Sequence, residues 1–364
     1  MLHKGIRQIA LALPALLFAP WAASFTYNVD TPTAQAVAKA KEAVNARQWN
    51  QLPTLVAQTQ GDVLQIYADY WLAEREVWAA KDVTNVPVAE AFLQRYPGSY
   101  MADKLKANWI LAADEAGSFK KIRELEDFLW YNREVRCAKL EARHMTGQRA
   151  TSEQAMAVFR PGKACWAMLS QFVADDVMTR DDMVILLQDA LERNHTKTAD
   201  RIASLLFDRQ TLGQYRAMMK SPAGWLKQYK GNATGDDAVI AAIALVRQGR
   251  SNPSTAAREL ERTWTARLPA AASGWAWSQL AFQSALDLET RADAWYQMAG
   301  NTRLSETGYA WRVRAALRQP IINWAWVQQA IEWMPPEQQA EIDWQYWRAR
   351  ALAAQGQTGQ AQAI

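Results

Sequence analysis

The sequence predicts an all-α fold, and three observations carry this prediction. Apolar residues recur at helical spacing in nearly every segment after Thr31. No segment alternates convincingly with period two, and no Asn-Gly or Asp-Gly turn separates β-rich runs. The breaks between helical segments are short and contain Gly or Pro. Half of the residues are hydrophobic and the mean hydropathy is −0.29, values typical of a globular chain.

The helices in the first third of the chain are clearly marked. One segment carries an apolar stripe at positions i, i+4, i+7 and i+11: Ile66, Tyr70, Ala73 and Val77. The next helix is expected to end at Tyr96, because Pro97-Gly98 is a strong stop signal. A further helix follows, and three of its residues share one face: Leu105, Trp109 and Ala112.

The remaining helices are separated by brief interruptions, which predict antiparallel neighbours. The interruptions fall at Pro87, Pro97-Gly98, Gly117, Gly147, Pro161-Gly162, Pro222, Gly231 to Gly235, Pro253, Pro269, Gly300, Pro320 and Pro335-Pro336. Similar units recur without a fixed period, as in "RQWNQLPTLV" and "INWAWVQQAIEWMP". This pattern predicts an α-solenoid of helix pairs with an extended concave surface, and it does not support a strict tetratricopeptide array. The best candidate for a domain boundary is Tyr229 to Asp237, which could equally be one long turn.

The N-terminal residues 1–24 have the layout of a secretory signal peptide. Lys4 and Arg7 precede an apolar run, and small residues at Ala22 and Ser24 place the expected cleavage before Phe25. The apolar run is too short to span a bilayer comfortably. Removal of these residues lowers the formal net charge from +4 to +2, which gives no argument for nucleic-acid binding. We therefore expect an exported chain whose residues 25–364 form one α-helical domain.

Export determines how the two cysteines, Cys137 and Cys165, are interpreted. In an oxidising compartment they are most simply one disulfide across 28 positions; the alternative is two unpaired buried thiols. Loop closure of that length contributes roughly 3–4 kcal/mol. With only His144 and His195 available beyond the signal segment, the sequence shows no metal-ligand spacing, and no cofactor is expected.

A search for catalytic motifs finds no phosphate loop, no Gly-x-Ser-x-Gly elbow and no His-Glu-x-x-His helix. Paired carboxylates at Asp175-Asp176 and Asp181-Asp182 are compatible with acid–base chemistry. Thr179 ahead of the second pair favours a helix N-terminus instead. His195 follows a predicted helix end, where a cation would suit the helix dipole.

Two aromatic or basic clusters also have alternative interpretations. Arg314 and Arg318 lie on one helical face, with Arg312 elsewhere, so they form either an anion-binding patch or a solvated face. Trp344 and Trp347 share a face near the C-terminus and are interpreted as packing residues rather than a sugar platform. A new helical pattern begins after Gly356 and stops within a turn or two, which suggests that the natural sequence continues beyond Ile364.

Several ordered stretches resemble one family, the soluble lytic murein transglycosylases of the Gram-negative periplasm. They include "YADYWLAEREVW", "VPVAEAFLQRYPGSYMADKLKANWILAA", "VRCAKLEARHMTG", "AWRVRAALRQPIINWAWVQQAIEWMP" and "DWQYWRARALAAQGQ". The resemblance runs from about Asp62 to the end of the chain. It implies the family's N-terminal domain, a right-handed, ring-like superhelix of α-helices, and a disulfide placed like Cys137–Cys165.

The resemblance also implies what the whole protein does. The family cleaves the β-1,4 bond between N-acetylmuramic acid and N-acetylglucosamine, giving a 1,6-anhydro end. Its catalytic glutamic acid lies in a separate domain, within Glu-Ser and followed by Gly-x-Met-Gln-x-Met-Pro. Neither motif occurs here, and Glu332 to Pro336 shares only Met-Pro, so no catalytic residue is assigned.

The sequence thus predicts the non-catalytic scaffold region of a periplasmic lytic transglycosylase, truncated before its catalytic domain. The expected partners are peptidoglycan glycan strands, with other cell-wall enzymes as candidates; nucleic acid and a stable membrane span are not expected. The alternative is a periplasmic helical-repeat adaptor that binds proteins and has no enzymatic activity. Composition and periodicity would be the same for both.

Overall fold

A computed structural model of the protein describes residues 27–125 and 132–364, and every regular element in these two ranges is helical. The predicted all-α class is therefore confirmed. The described residues form two compact units, one of residues 27–118 with Leu125 and the other of residues 119–124 with 132–364. The predicted signal peptide, residues 1–24, lies outside the described residues. In the described part of the chain, no helix is both long and apolar enough to cross a membrane.

The described residues of the first unit form five helices. They are α1 (Pro32–Asn45), α2 (Leu52–Ala57), α3 (Gln65–Ala79), α4 (Pro87–Arg95) and α5 (Tyr100–Glu115). The N-terminal helices share a small core of Ala40, Leu52, Val56 and Ala68. Helices α3 and α5 pack against each other.

The second unit begins with α6 (Phe119–Glu124) and continues through sixteen further α-helices within the described residues. They are α7 (Arg133–Met145), α8 (Ser152–Val158), α9 (Lys163–Ala174), α10 (Arg180–Glu192), α11 (Thr196–Leu206), α12 (Arg209–Lys220), α13 (Pro222–Gln228), α14 (Gly235–Gly249), α15 (Pro253–Glu259), α16 (Ala270–Leu286), α17 (Arg291–Ala299), α18 (Glu306–Leu317), α19 (Trp324–Glu332), α20 (Pro336–Gln339), α21 (Ile342–Ala354) and α22 (Thr358–Gln362). A π-helical turn, Leu260–Trp264, directly follows α15. The stretch Tyr229 to Asp237, considered as a domain boundary, lies inside this unit between α13 and the start of α14.

Helix ends follow the local sequence signals. Ser99 caps α5 by accepting a hydrogen bond from the Ala102 N–H, and it follows the predicted stop at Pro97-Gly98. Gly98 adopts φ +68°, a left-handed conformation that glycine tolerates without strain. The apolar stripe predicted for α3 is buried at three of its four positions, Tyr70, Ala73 and Val77.

Helices pack mainly against the next helix or the next but one, as a helix-pair solenoid requires. In the second unit the close pairs include α7 with α9, α10 with α11, α16 with α17 and α19 with α21. The buried apolar residues form one cluster from Cys137 to Ala299 and another from Ala281 to Ala351. Most of the 18 Trp are suited to filling such inter-helical space, as Trp264 and Trp277 do.

Candidate functional site

In the described part of the second unit three cavities lie along helix α10, and a fourth, of about 300 Å³, is lined by Glu192 at the end of this helix. The largest, called here the N-terminal cavity because it lies at the start of α10, has a volume of about 950 Å³. The acidic cavity, beside the C-terminal half of α10, has a volume of about 600 Å³. A small cavity of about 100 Å³ adjoins it. Arg303 lines the first two cavities, whereas Asp189 and Arg193 line the second and third.

The acidic cavity combines charged groups of both signs with aromatic rings. Four carboxylates line it: Asp189, Glu306, Glu337 and Glu341. Two arginines, Arg193 and Arg303, stand among them, and Tyr309 and Trp333 contribute rings. The groups come from α10, from the start of α18 and from the segment joining α19 to α21. Such a surface offers hydrogen-bond donors, hydrogen-bond acceptors and an apolar face within one cavity.

Asp189 is a partly buried carboxylate of the acidic cavity. Burial raises its pKa, while the charges of Arg303 and Arg193 act in the opposite direction and that of Glu192 adds to the increase. Its side chain makes no hydrogen bond or ion pair with a described residue. A half-buried carboxyl group without a protein partner is available to a ligand that donates hydrogen bonds.

Glu192 positions the elements around the acidic cavity. Gln279 Nε2 on α16 donates to Glu192 Oε2 at 2.8 Å. The Ser305 hydroxyl donates to Glu192 Oε1 and at the same time caps α18, where it accepts from the Gly308 N–H at 3.0 Å. One carboxylate therefore fixes the C-terminal end of α10 against both α16 and α18.

Arg312 lies behind the aromatic wall of the acidic cavity and is fully buried. Its guanidinium lies 5.1 Å from the centre of the Trp333 ring and 5.4 Å from that of Tyr309. Its Nη2 donates to the Thr302 carbonyl at 3.4 Å. Burial lowers the pKa of Arg312 to about 10, although the nearby tyrosines act to raise it. Sequence analysis had set this residue apart from Arg314 and Arg318, and the structure shows why: it is a core residue.

The two predicted disulfide cysteines are brought together. Cys137 on α7 and Cys165 on α9 form a disulfide with a Cα–Cα distance of 4.9 Å. Both residues are fully buried, and neither lines any of the three cavities. The bridge therefore joins two helices of the solenoid core and takes no part in the candidate site.

The carboxylate pairs have structural roles. Thr179 caps α10, and Asp182 completes a reciprocal capping box by accepting from the Thr179 N–H at 2.9 Å. Asp175 accepts hydrogen bonds from Gln171 Nε2 at 2.8 Å and from the buried His144 ring, whose Nε2 lies 3.0 Å away. The expected helix N-terminus at Thr179 is thus confirmed.

His195 follows the C-terminal end of α10, as expected, and is the N-cap residue of α11. Its backbone N–H donates to the Ala190 carbonyl at 2.8 Å and so closes the end of α10, while its side chain lines the small cavity. Asn194, with φ +59°, makes the reversal that turns the chain into α11. The main chain of His195 therefore makes a hydrogen bond that closes α10, and the interaction of its imidazole with the helix dipole stays a prediction.

The remaining aromatic and basic predictions concern the C-terminal helices. Arg314 and Arg318 are exposed, and Arg314 lies over the rings of Trp311 and Trp344 at 5.4 and 5.6 Å. Trp344 is buried in the core, and Trp347 packs against the same cluster, which confirms their interpretation as packing residues.

Sequence reasoning missed the residues that build the acidic cavity. Glu332 to Pro336 was considered only for its Met-Pro, yet Trp333, Met334 and Pro335 form part of the cavity wall. Asp189, Glu192 and Arg303 carry no motif, and the two hydrogen-bond partners of Glu192 are remote in the chain. The described residues contain no group of His, Cys, Asp and Glu that could hold a metal ion.

Comparisons with known proteins identify a similar fold. No family model matches the chain, and no curated protein matches it. A lytic transglycosylase from Pseudomonas aeruginosa, solved as an inactive mutant, has a TM-score of 0.52 and 19% identity, over 90% of this chain and 54% of that one. The 70-kDa soluble lytic transglycosylase of Escherichia coli gives a TM-score of 0.47 and 18% identity, over 91% and 55%. A complex of a 70-kDa soluble lytic transglycosylase with bulgecin A gives 0.46 and 19%, also over 91% and 55%.

At this level of identity the likeness to the Pseudomonas aeruginosa structure shows a common fold. It confirms the fold class predicted from the sequence and supports the family resemblance stated there. The chain spans about half the length of the solved chains that it matches.

Proposed function

We propose that this chain is the non-catalytic scaffold region of a periplasmic lytic transglycosylase. The observation that carries the proposal is the fold similarity over 90% of the chain to a lytic transglycosylase of which it covers 54%. The parent enzyme would cleave the β-1,4 bonds between N-acetylmuramic acid and N-acetylglucosamine in peptidoglycan and leave 1,6-anhydro ends. The proposed location is the periplasm, which residues 1–24 would direct the chain to reach.

The acidic cavity supports a role in holding glycan. A sugar ring presents an apolar C–H face, which suits an aromatic wall such as Trp333, together with hydroxyl groups that both donate and accept hydrogen bonds. Carboxylates such as Asp189 accept such bonds, and arginines such as Arg193 donate them. Because the cavity mixes both charges, a neutral polyhydroxylated ligand meets partners for each hydroxyl without a net repulsion.

The proposal assigns Asp189 to binding and assigns no residue to catalysis. A raised carboxyl pKa in a cavity is also a property of general acids. Binding and cleavage are therefore measured separately. Glycan strands are the proposed partner of the acidic cavity, and other cell-wall enzymes remain candidates for the rest of the surface.

Co-sedimentation with purified peptidoglycan sacculi tests the binding role. The wild-type chain should pellet with the sacculi, and the Asp189→Asn and Arg193→Gln variants should bind several-fold more weakly because each loses charged hydrogen bonds to hydroxyl groups. The matched control is Arg262→Gln, which removes the same charge as Arg193→Gln from an exposed position that lines none of the cavities. Failure of the wild-type chain to pellet would overturn the proposal and favour the protein-binding adaptor.

A further inference from the structure

The N-terminus of helix α16 opens into the N-terminal cavity without a side-chain cap. Pro269 occupies the N-cap position, and no side chain accepts from the first turn. The first backbone N–H of this turn to be satisfied is that of Ser273, which donates to the Pro269 carbonyl at 3.0 Å. The N–H groups of Ala270, Ala271 and Ala272 donate to no described residue, and all three residues line the cavity. They form a set of free donors at the positive end of a helix of 17 residues.

A buried side chain at the same place also lacks a partner. Ser273 is only 7% exposed and lines the N-terminal cavity. Its hydroxyl makes no hydrogen bond with a described residue, whereas the other buried serines of α16 are bonded: Ser278 to the Trp275 carbonyl and Ser284 to Glu289. The residue is thus more than nine-tenths buried, its hydroxyl has no protein partner, and a ligand or solvent atom in the cavity completes the bonding of that hydroxyl.

The charged groups at the rim favour an anion. Arg303 is exposed and makes no hydrogen bond or ion pair with a described residue. Arg180 is engaged by Asp236, to which its Nε donates at 2.9 Å, and by Asp181 at 3.4 Å. The Asp181 side chain, 90% exposed, is the one carboxylate among the residues that line the cavity. The helix dipole and Arg303 together therefore outweigh it near the free N–H groups.

The walls of the cavity are apolar. Val184 and Ile185 of α10 face this space from one side, and Leu268, Trp275 and Met298 contribute further apolar surface. A volume of about 950 Å³ is large enough for a ligand the size of a short peptide. A bare inorganic anion would leave most of this surface in contact with water, whereas an anion attached to an apolar body would cover it.

We propose that the N-terminal cavity binds a carboxylate attached to an apolar body, such as the C-terminal end of a short peptide with aliphatic side chains. The carboxylate accepts from the N–H groups of Ala270 to Ala272 and from the Ser273 hydroxyl, with Arg303 supplying the countercharge. The aliphatic part covers the walls around Ile185 and Leu268. This site goes beyond the proposed function, because its ligand needs no sugar ring.

Titration of the full chain with N-acetyl-leucyl-alanine tests the site. Calorimetry should show the free acid binding at least tenfold more tightly than its C-terminal amide, a difference of about 1.4 kcal/mol. In ¹⁵N-labelled protein the amide signals of Ala270, Ala271 and Ala272 should shift on saturation with the acid. Equal affinity for acid and amide would overturn the carboxylate assignment. Inorganic phosphate binding as tightly as the acid would overturn the role of the apolar body.

Three variants place the ligand at this helix. Ala270→Pro removes one free N–H; Pro is tolerated at the first helical position, and Pro269 has ψ 149°, which suits a residue before proline. Ala270→Pro and Ser273→Ala should each weaken binding of the acid at least threefold, and Arg303→Gln should weaken it more. Arg262→Gln should have no effect. Unchanged affinity in Ala270→Pro and Ser273→Ala would refute the site.

The two proposals can fail independently. Ala270→Pro should leave co-sedimentation with peptidoglycan unchanged, because Ala270 does not line the acidic cavity. Asp189→Asn should leave binding of N-acetyl-leucyl-alanine unchanged for the corresponding reason, since Asp189 does not line the N-terminal cavity.

Discussion

Asp189 shows how a single carboxyl group can favour ligand binding at a cost in stability. Burial raises its pKa, so the charged form is disfavoured in the folded chain relative to the unfolded chain. Its contribution to stability is therefore fully present below the unfolded pKa of about 3.9 and is lost as the pH rises through the folded pKa.

The Asp189→Asn variant tests whether the charged Asp189 carboxylate lowers the stability of the folded chain. At pH 7 its free energy of unfolding should exceed that of the wild type, because the amide carries no charge to bury. Near pH 3, where the wild-type carboxyl group is protonated, the difference should vanish. Urea unfolding at the two pH values measures both. A variant that is less stable at pH 7 would mean that the favourable charges of Arg303 and Arg193 outweigh burial.

Glu192, unlike Asp189, stabilises the folded chain, because both of its carboxylate oxygens accept hydrogen bonds. Glu192→Ala leaves the Gln279 amide and the Ser305 hydroxyl without their acceptor and should lower the free energy of unfolding by about 1–3 kcal/mol. Glu192→Gln, which keeps one acceptor oxygen, should cost less. Glu261→Ala, at an exposed position, is the control. Equal stability of Glu192→Ala and Glu261→Ala in urea would show that the links from α10 to α16 and α18 contribute nothing.

At the scale of helices, local capping signals set where several helices of the second unit begin and end, and a disulfide joins two of them. The capping box at Thr179 and the left-handed residue Asn194 set the two ends of α10. The disulfide joins α7 to α9 across the short helix α8. The cap depends on residues near one another in the chain, and the cysteine pairing depends on there being only two cysteines, so the sequence predicts both.

Removal of the disulfide should destabilise this part of the chain. The double variant Cys137→Ala/Cys165→Ala should lose roughly 3–4 kcal/mol of unfolding free energy, the value expected for closing a loop of this length. Guanidinium unfolding, followed by signals from residues of the second unit, measures the loss of unfolding free energy. The difference should largely disappear when wild type and variant are compared in reductant. A variant as stable as the oxidised wild type would contradict the prediction.

At the scale of the whole molecule, the fold is that of helix pairs, and it is similar to a lytic transglycosylase that is almost twice as long as the matched region. The residues that would cleave murein in that family are not assigned to any position here. The function proposed for this chain is therefore to hold glycan, and the α16 site adds a second type of ligand that the same surface could hold.

The chain by itself should show no murein cleavage. A zymogram with embedded peptidoglycan, run with the purified chain at neutral pH, should remain uncleared, and the soluble fraction should contain no 1,6-anhydro products. A full lytic transglycosylase run alongside gives the positive control. If the wild-type chain clears the gel and the Asp189→Asn variant does not, Asp189 is a catalytic acid and the scaffold proposal is wrong.

The sequence by itself determined the all-α class, the breaks between helices, the cap at Thr179 and the pairing of Cys137 with Cys165. The first three depend on periodicity or on residues close in the chain, and the pairing follows because the chain has only two cysteines. The acidic cavity and the buried Arg312 were decided only by the tertiary structure. Glu192 meets Gln279 and Ser305 across 87 and 113 positions, and the buried Arg312 of α18 lies against the Trp333 ring at the end of α19. No local pattern encodes such contacts, because they arise when separate helices pack together.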